Sequence, residues 1–426
     1  MFMVSLDERD VAKFRLNKVT LSLLLCCFIE YYDFMIYGIM SSVINKVFFI
    51  DSALSSSYGS YAASLVGLLI FASAFFARPV GAALFGYIGD KKGRRVSLNI
   101  SLMLLMGSVM GIPLLPSPGT LGVFSVLMLA ILRIMQGLAF GAEVGGLVLM
   151  AENVSRLGFP TVWVIRTNFC VAGMMLGVFM AGMCERMLTQ EQMYSWGWRI
   201  PFLVAVFVSV PLPYLRKLIH ESAEFVRYKA SGHSEKIAKS LFRNICSVLF
   251  LALVTGLGAG FFYITVVYLD VGHKAGLLEY ELSLVLHMLA ISTGMLVKDN
   301  VLRKRCFVFI LLAMIVLVYP TVHYICEGHM WARVLVLVLS GVYFGWYGPF
   351  VMFLFPVGSR QTSFSTGYNG GCMLAGLAPA ICLWFFHSTG KDIMPWLFLA
   401  VIASVLVVIF TFFVRVDEKG EYKLGL

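Results

Sequence analysis

The feature that most restricts this chain is a succession of long apolar runs separated by short polar breaks. About 20 apolar residues in a helix cross the hydrocarbon of a bilayer, where the backbone has to satisfy its own hydrogen bonds. The runs predict spans near 19–44, 60–86, 96–115, 121–151, 162–184 and 197–215. Six more follow near 245–268, 282–297, 307–326, 332–355, 364–387 and 394–414, the eighth being the shortest. Only 13% of the 426 residues are charged, against about 25% in soluble domains, and 60% are hydrophobic. That excludes a soluble enzyme on a membrane anchor, and equally a disordered or fibrous chain. The expected fold class is an all-α membrane protein of twelve transmembrane helices in two pseudo-symmetric six-helix bundles.

Charge sets the orientation. The net charge is +10, and the basic residues cluster at 9–18, 91–95, 216–243, 298–305 and the C-terminal tail. These clusters fall at every second connection, which is the positive-inside pattern. No basic run is interleaved with aromatics in a soluble segment, so lipid rather than nucleic acid is the expected contact. With both termini inside, 24 of the 33 Lys and Arg are cytoplasmic. Lys46, Arg186, Arg199, Lys274, Arg333 and Lys391 then lie outside, and Arg78, Arg133 and Arg166 lie within spans. The expected division is a cytoplasmic tail (1–18), a six-helix bundle (19–215), a cytoplasmic connection (216–244), a second bundle (245–414) and a cytoplasmic tail (415–426). The first run holds Glu30 and Asp33 and no cleavage-like site, so it reads as an uncleaved span. The nine cysteines show no CxxC or Cys/His ligand spacing. They read as small buried hydrophobes, and no metal or cofactor is expected.

An internal repeat supports the two-bundle division. GYIGDKKGRR (86–95) follows the second span and LVKDNVLRKR (296–305) the eighth, with Asp90 and Asp299 209 residues apart. The same shift carries Arg133 of span four to Val342 of span ten. Duplicated six-helix halves with a site between them at mid-membrane are a transporter architecture.

Ionisable groups inside a membrane cost several kcal/mol, so each asks for a partner and a purpose. The interiors of spans seven to twelve hold no Asp, Glu, Lys or Arg, whereas the first half holds Glu30, Asp33, Arg78, Arg133, Glu143 and Arg166. At about 1.5 Å per residue, Glu30 lies roughly 17 Å and Asp33 roughly 21 Å along span one, with Arg133 about 18 Å into span four. Glu30, Asp33 and Tyr37 share a helix face. Two acids facing a central Arg suit proton coupling, in which a proton replaces an ion pair; a static pair fixing helix packing is the alternative. Arg133, Gln136, Phe140 and Glu143 form one stripe of span four, and Gly137, Gly141 and Gly145 a separate face for close packing. Glu143 with Arg166 reads either as an inner-gate ion pair or as a substrate or proton site. In the 86–95 segment Gly89 and Gly93 permit a tight turn and Asp90 can cap a helix N-terminus. Arg94 and Arg95 are then within reach of Glu152 at the inner end of span four.

At these residues the chain resembles the major facilitator superfamily, and more narrowly its bacterial metabolite:proton symporters for proline/betaine, α-ketoglutarate, citrate and shikimate. The resemblance is carried by EYYDFMIYG (30–38), FARPVGAALFGYIGDKKGRR (76–95), RIMQGLAFGAEVGG (133–146), Glu152, WGWRIPFL (196–203) and ESAEF (221–225). It implies an inner-membrane location, proton coupling through Glu30, Asp33 and Arg133, and an inner-gate motif of Gly86, Gly89, Asp90, Gly93, Arg94, Arg95 and Glu152. The second half departs. Asp299 is followed by Asn300, Val301 and Leu302 instead of paired glycines, and Phe353 stands where an acid is usual. LFPVGSRQTSFSTGYNGG (354–371) keeps the Phe-Pro, Arg and Tyr-Asn elements, and Ala142 replaces a common glycine.

The expected function is secondary active transport, a proton-coupled symport of a small polar metabolite by alternating access, in a monomer. No metal-spaced His pair, nucleophile elbow or phosphate loop points to an enzyme, and no nucleotide-binding domain to ATP-driven transport. A solute sensor that does not transport is the other class. The expected cavity combines Tyr37, Gln136, Glu143 and Arg166 with Tyr263, Trp346 and Tyr347, in a half also rich in Phe261, Phe262, Tyr268 and Tyr343. Aromatic faces hold a substituted ammonium, and Arg133 or Arg166 a carboxylate. That favours a zwitterion such as proline or betaine over organic acids; the plainer reading is that these aromatics pack or face lipid. His287 and His323 read as packing residues.

Overall fold

A computed structural model of the chain describes residues 18–50, 53–154, 158–231, 236–265, 277–327, 329–389, 394–417 and 422–425. Its first half is built from α1 (Lys18–Ile39), α2 (Ala53–Lys92), α3 (Arg94–Gly111) and α4 (Val123–Gly141). Then come α5 (Val144–Glu152), α6 (Phe159–Met187), α7 (Arg199–Ser209) and α8 (Leu212–Lys217). Helices α4 with α5, and α7 with α8, each make one interrupted span. The connection folds into α9 (Ala223–Ala230) and α10 (Ile237–Arg243). The second half contains α11 (Ile245–Tyr263), α12 (Leu277–Ser292), α13 (Asn300–Cys326), α14 (Met330–Val351), α15 (Arg360–Thr389) and α16 (Met394–Phe412). Six spans precede the connection and six follow it. Tyr268 lies outside the described residues.

Among the described residues eight helical segments are long and apolar enough to cross a membrane, the joined α4–α5 and α7–α8 among them. The first turns of α15 bury Arg360, Gln361, Thr362, Ser363, Ser365 and Asn369. Such residues are tolerated only where protein, not lipid, surrounds them. Helix α15 lies along α2, and α6 lies against α12 and α14, so both halves meet along paired helices. Glycines set the spacing within the first bundle. A Cβ on Gly137 would stand 2.0 Å from the Ala74 carbonyl oxygen, and one on Gly81 2.1 Å from that of Leu138. Backbones of α2 and α4 therefore touch directly, which only glycine permits.

Two local expectations are corrected. The 86–95 segment is not a loop: α2 runs through Gly86, Gly89 and Asp90 to Lys92, and only Gly93, at φ +120°, makes the turn into α3. Gly86 and Gly89 serve instead as a seat for the other half. A Cβ on Gly86 would lie 2.6 Å from the Thr362 Cα, and one on Gly89 would strike the Gln361 amide. The stripe from Arg133 to Glu143 is also broken. After Gly141 the backbone of Ala142 and Glu143 bonds three residues back, to Ala139 and Phe140, before α5 resumes. The added rotation takes Glu143 off the face that carries Arg133 and Gln136. Beyond α16, Val414–Val416 pairs antiparallel with Tyr422–Leu424, and the Tyr422 hydroxyl docks on Asn300 at the start of α13.

Candidate functional site

Asp33 and Arg133 are both fully buried, but a third residue joins them. Arg133 donates to the Gln136 carbonyl oxygen at 2.5 Å, and the Gln136 amide donates to Asp33. Arg133 also points at the Phe71 carbonyl (3.5 Å) and stands over the Tyr37 ring at 4.2 Å. Gln136 sits one helical turn beyond Arg133, so α4 presents both to α1 at one level. The second carboxylate oxygen of Asp33, Oδ1, has no partner among the described residues.

Glu30 does not face Arg133. Its carboxylate accepts from Arg216 at 2.5 Å, at the connector end of α8. Arg216 had counted as part of the cytoplasmic connection; its long side chain folds back into the protein, 3% exposed, because Glu30 is the counter-charge within reach. The two acids of α1, three residues apart, thus serve different networks. Glu143 forms a third, accepting from Arg166 and from Cys27 (3.2 Å). Cys27, Glu143 and Cys170 bring three ligand-type atoms within 4.8 Å of one another. Arg166 already engages that carboxylate and adds positive charge, so the set suits an ion pair rather than a cation.

A cavity opens between the bundles. The first half lines it with Tyr31, Arg78, Trp163, Arg166 and Cys170; the second with Thr255, Phe262, Tyr263, His287, Tyr347 and Tyr368. Of the cavity residues expected from sequence, Arg166, Tyr263 and Tyr347 line it. Glu143 stands behind Arg166. Tyr37 and Gln136 belong to the Asp33 network, away from the cavity wall. Trp346 points elsewhere, its indole donating to Thr293 at 2.9 Å, since residues 346 and 347 project about 100° apart on one helix.

The sequence reading passed over Arg78 and His287 as cavity residues. Arg78 is 1% exposed and flanked by the rings of Phe34 (4.4 Å) and Phe140 (4.2 Å). Its charge was visible in sequence; that no acid faces it was not. Phe34 also lies 5.2 Å from the Arg133 guanidinium, so one ring separates the cavity from the Asp33 network. His287 is 1% exposed, with Nδ1 2.7 Å from the Leu337 carbonyl oxygen.

At the connector end the halves are latched. Arg94 donates to Asp90 (2.6 Å), Glu152 (2.9 Å) and the Val357 carbonyl (2.8 Å). Asp90 accepts from the backbone of Gln361 (3.3 Å) and Thr362 (2.8 Å) and from the Thr362 hydroxyl (2.5 Å). The carboxylate that ends α2 thereby caps the N-terminus of α15 in the opposite bundle, where the helix dipole favours an anion. Arg95 takes no part through its exposed side chain; its backbone N–H reaches Glu221 at 3.3 Å. Arg360 bonds Glu152 (3.5 Å) and Glu224 (3.1 Å), while Phe353 packs edge-on against Phe159. The partners of Arg360 are thus two acids from outside the second bundle.

A family model described as "Sugar (and other) transporter" matches residues 19–244. The inner membrane metabolite transport protein YhjE of Escherichia coli K12 is 31% identical over 417 residues, which is 92% of this chain and 92% of that one. The chain belongs to the sugar (and other) transporter family of the major facilitator superfamily. This major facilitator chain is also 26% identical to the proline/betaine transporter of Salmonella typhimurium, over 88% of its own length and 79% of the relative's. With the citrate-proton symporter of Klebsiella pneumoniae it shares 27% identity, over 89% and 88% respectively. Among solved structures, the proton:xylose symporter XylE of E. coli superposes with a TM-score of 0.75 at 16% identity, over 93% of this chain and 95% of that one. That likeness fixes the twelve-helix, two-bundle major facilitator fold. The protein is a multi-pass membrane transporter and not an enzyme.

Proposed function

We propose that this transporter is a proton-coupled symporter of a small polar metabolite, with Asp33 as the proton carrier. One observation carries the reading. Of the acids buried in the first bundle, Asp33 alone is held without a direct ion pair among the described residues. Glu30 is paired with Arg216, Glu143 with Arg166, and Asp90 and Glu152 with Arg94. Asp33 meets the positive charge of Arg133 only through the Gln136 amide, and Oδ1 is open to a proton. A neutral amide tolerates both the charged and the protonated carboxyl, which a direct salt bridge does not. Phe34, between the guanidiniums of Arg133 and Arg78, joins this switch to the cavity.

Alternating access then consists of rocking the bundles about the cavity, with the connector-end latch closed in the present state. The connection (216–244) and both tails lie in the cytoplasm, on the weight of basic residues there, and the bundles span 19–215 and 245–414. A single chain lines the cavity from both halves, which supports a monomer working in the lipid bilayer.

For the cargo, the aromatic lining and Arg78, which no carboxylate pairs among the described residues, favour a zwitterion such as proline or betaine. An organic acid is the second reading, supported by Arg166 on the cavity wall: protonation of Glu143 would release a second cation. In proteoliposomes, Asp33→Asn should abolish uphill accumulation driven by a pH gradient and leave exchange of labelled cargo intact. Wild-type accumulation by this variant would end the proposal. Competition decides the cargo: block by proline or betaine supports the zwitterion, block by citrate alone the acid. A protein that binds these solutes and moves none of them would be a sensor.

A further inference from the structure

Arg78 presents a full positive charge to the cavity, and among the described residues no carboxylate pairs with it. The guanidinium is sandwiched by Phe34 and Phe140, with Phe75 5.2 Å away, and the Tyr263 hydroxyl, a neutral partner, stands within reach of it. Arginine cannot shed its proton to escape the cost of burial. Ring faces offset part of that cost, but they do not replace the hydrogen bonds a guanidinium makes to a carboxylate. The other two intramembrane arginines of this bundle each donate to an oxygen of a facing side chain, Arg133 to Gln136 and Arg166 to the Glu143 carboxylate.

Across the same cavity, the second bundle contributes His287. A carbonyl oxygen only accepts, so the contact with Leu337 places the ring hydrogen on Nδ1. The ring lies between Phe262 (5.4 Å) and Phe344 (6.2 Å), and no acid stands against it among the described residues to hold a second proton. Nε2 is thereby left as a lone-pair acceptor on a wall made mostly of aromatic rings, with the Thr255 hydroxyl and the Cys372 thiol.

We infer that Arg78 and His287 form a two-point anchor that selects the cargo: Arg78 holds its carboxylate, and His287 Nε2 accepts a hydrogen bond from an N–H or O–H group at its other end. This rests on the transport reading and narrows its substrate class to a small carboxylate carrying a hydrogen-bond donor. A secondary or primary ammonium acid carries a group for each point, whereas a quaternary betaine carries one only for the first. Each point belongs to a different bundle, so bound cargo would bridge the two moving bodies. Neither the Asp33 switch nor the latch uses these residues.

The test is binding to purified full-length protein in detergent, without any gradient, so its outcome is separate from that of the accumulation assay. The probes are L-proline, L-proline methyl ester and glycine betaine. Proline should bind, and its ester about tenfold or more weakly, the usual scale for losing a hydrogen bond to a buried charge. Arg78→Gln should weaken proline and betaine alike, with Arg78→Lys in between. His287→Leu should weaken proline and leave betaine unchanged, and His287→Gln, which keeps an acceptor, should restore proline. Equal binding of acid and ester to the wild-type chain overturns the inference without any variant. So does wild-type affinity in Arg78→Gln, or the failure of both carboxylates to bind.

Discussion

Thr362, in the first turn of α15, donates both its hydroxyl (2.5 Å) and its backbone N–H (2.8 Å) to one carboxylate oxygen of Asp90 at the end of α2. The two residues belong to different bundles, so the bond exists only while the connector end is closed. Asp90→Ala removes the cap outright, both its acceptor oxygens and its charge. It should destabilise the closed state by about 1–2 kcal/mol, the usual worth of a helix cap, a roughly 5–30-fold change in population. Hydrogen–deuterium exchange of the first turn of α15 should rise accordingly; unchanged protection would show that the latch lies elsewhere.

The Glu30–Arg216 pair makes a prediction that differs from that for Asp33. Glu30→Gln strands a buried guanidinium, and breaking a buried pair by one partner costs about 3–5 kcal/mol. The single variant should lose thermal stability in detergent. The double variant Glu30→Gln with Arg216→Gln should recover most of it, together with proton-driven accumulation. If the double variant is stable but uncoupled, Glu30 shares the proton role with Asp33.

Glycine placement offers a paired control. Gly137→Ala sets a methyl against the Ala74 backbone at 2.0 Å and forces α2 and α4 apart, at about 1–3 kcal/mol. Gly146→Ala places its methyl 3.5 Å from the Leu23 side chain, ordinary contact, and should be nearly neutral. Thermal midpoints of the two variants compare directly. Equal loss in both would contradict the helix spacing described.

Orientation has its own check. Ser231, exposed beside the C-terminal end of α9, should be cytoplasmic. A cysteine there, in a background without the native cysteines, should react with an impermeant maleimide in inverted vesicles and stay unlabelled in intact cells. The reverse pattern would invert the topology.

Much of the architecture was legible in the chain alone. Run lengths and the lysine and arginine bias specify spans and a two-bundle plan, because a bilayer admits few other solutions. The intramembrane arginines and acids were equally visible, since each is conspicuous against so much hydrocarbon. The reach of Arg94 to Glu152 could be read too, because the 86–95 motif constrains both ends. What linear spacing could not supply was partnership. Glu30 and Asp33 share a face by the three-residue rule, yet a helix face is wide enough to serve two neighbours. One acid turns to Arg216 and the other to Gln136.

The sequence by itself determined the solvent, the number of spans and the stock of charges, because these depend on composition along one dimension. Tertiary structure alone decided which charge is neutralised and by what. Arg133, Arg166 and Arg78 look alike in the chain, each a lone cation in an apolar helix. Packing joins the second to Glu143, the partner its sequence position already offered, but only packing gives the first an amide and leaves the third facing the cavity. The break at Ala142 and Glu143 makes the same point, since a slight rotation takes Glu143 off the stripe of Arg133 and Gln136 and sets it behind Arg166. Electrostatic roles depend on distances of a few ångströms between residues far apart in sequence, and those distances are a property of the packed bundles.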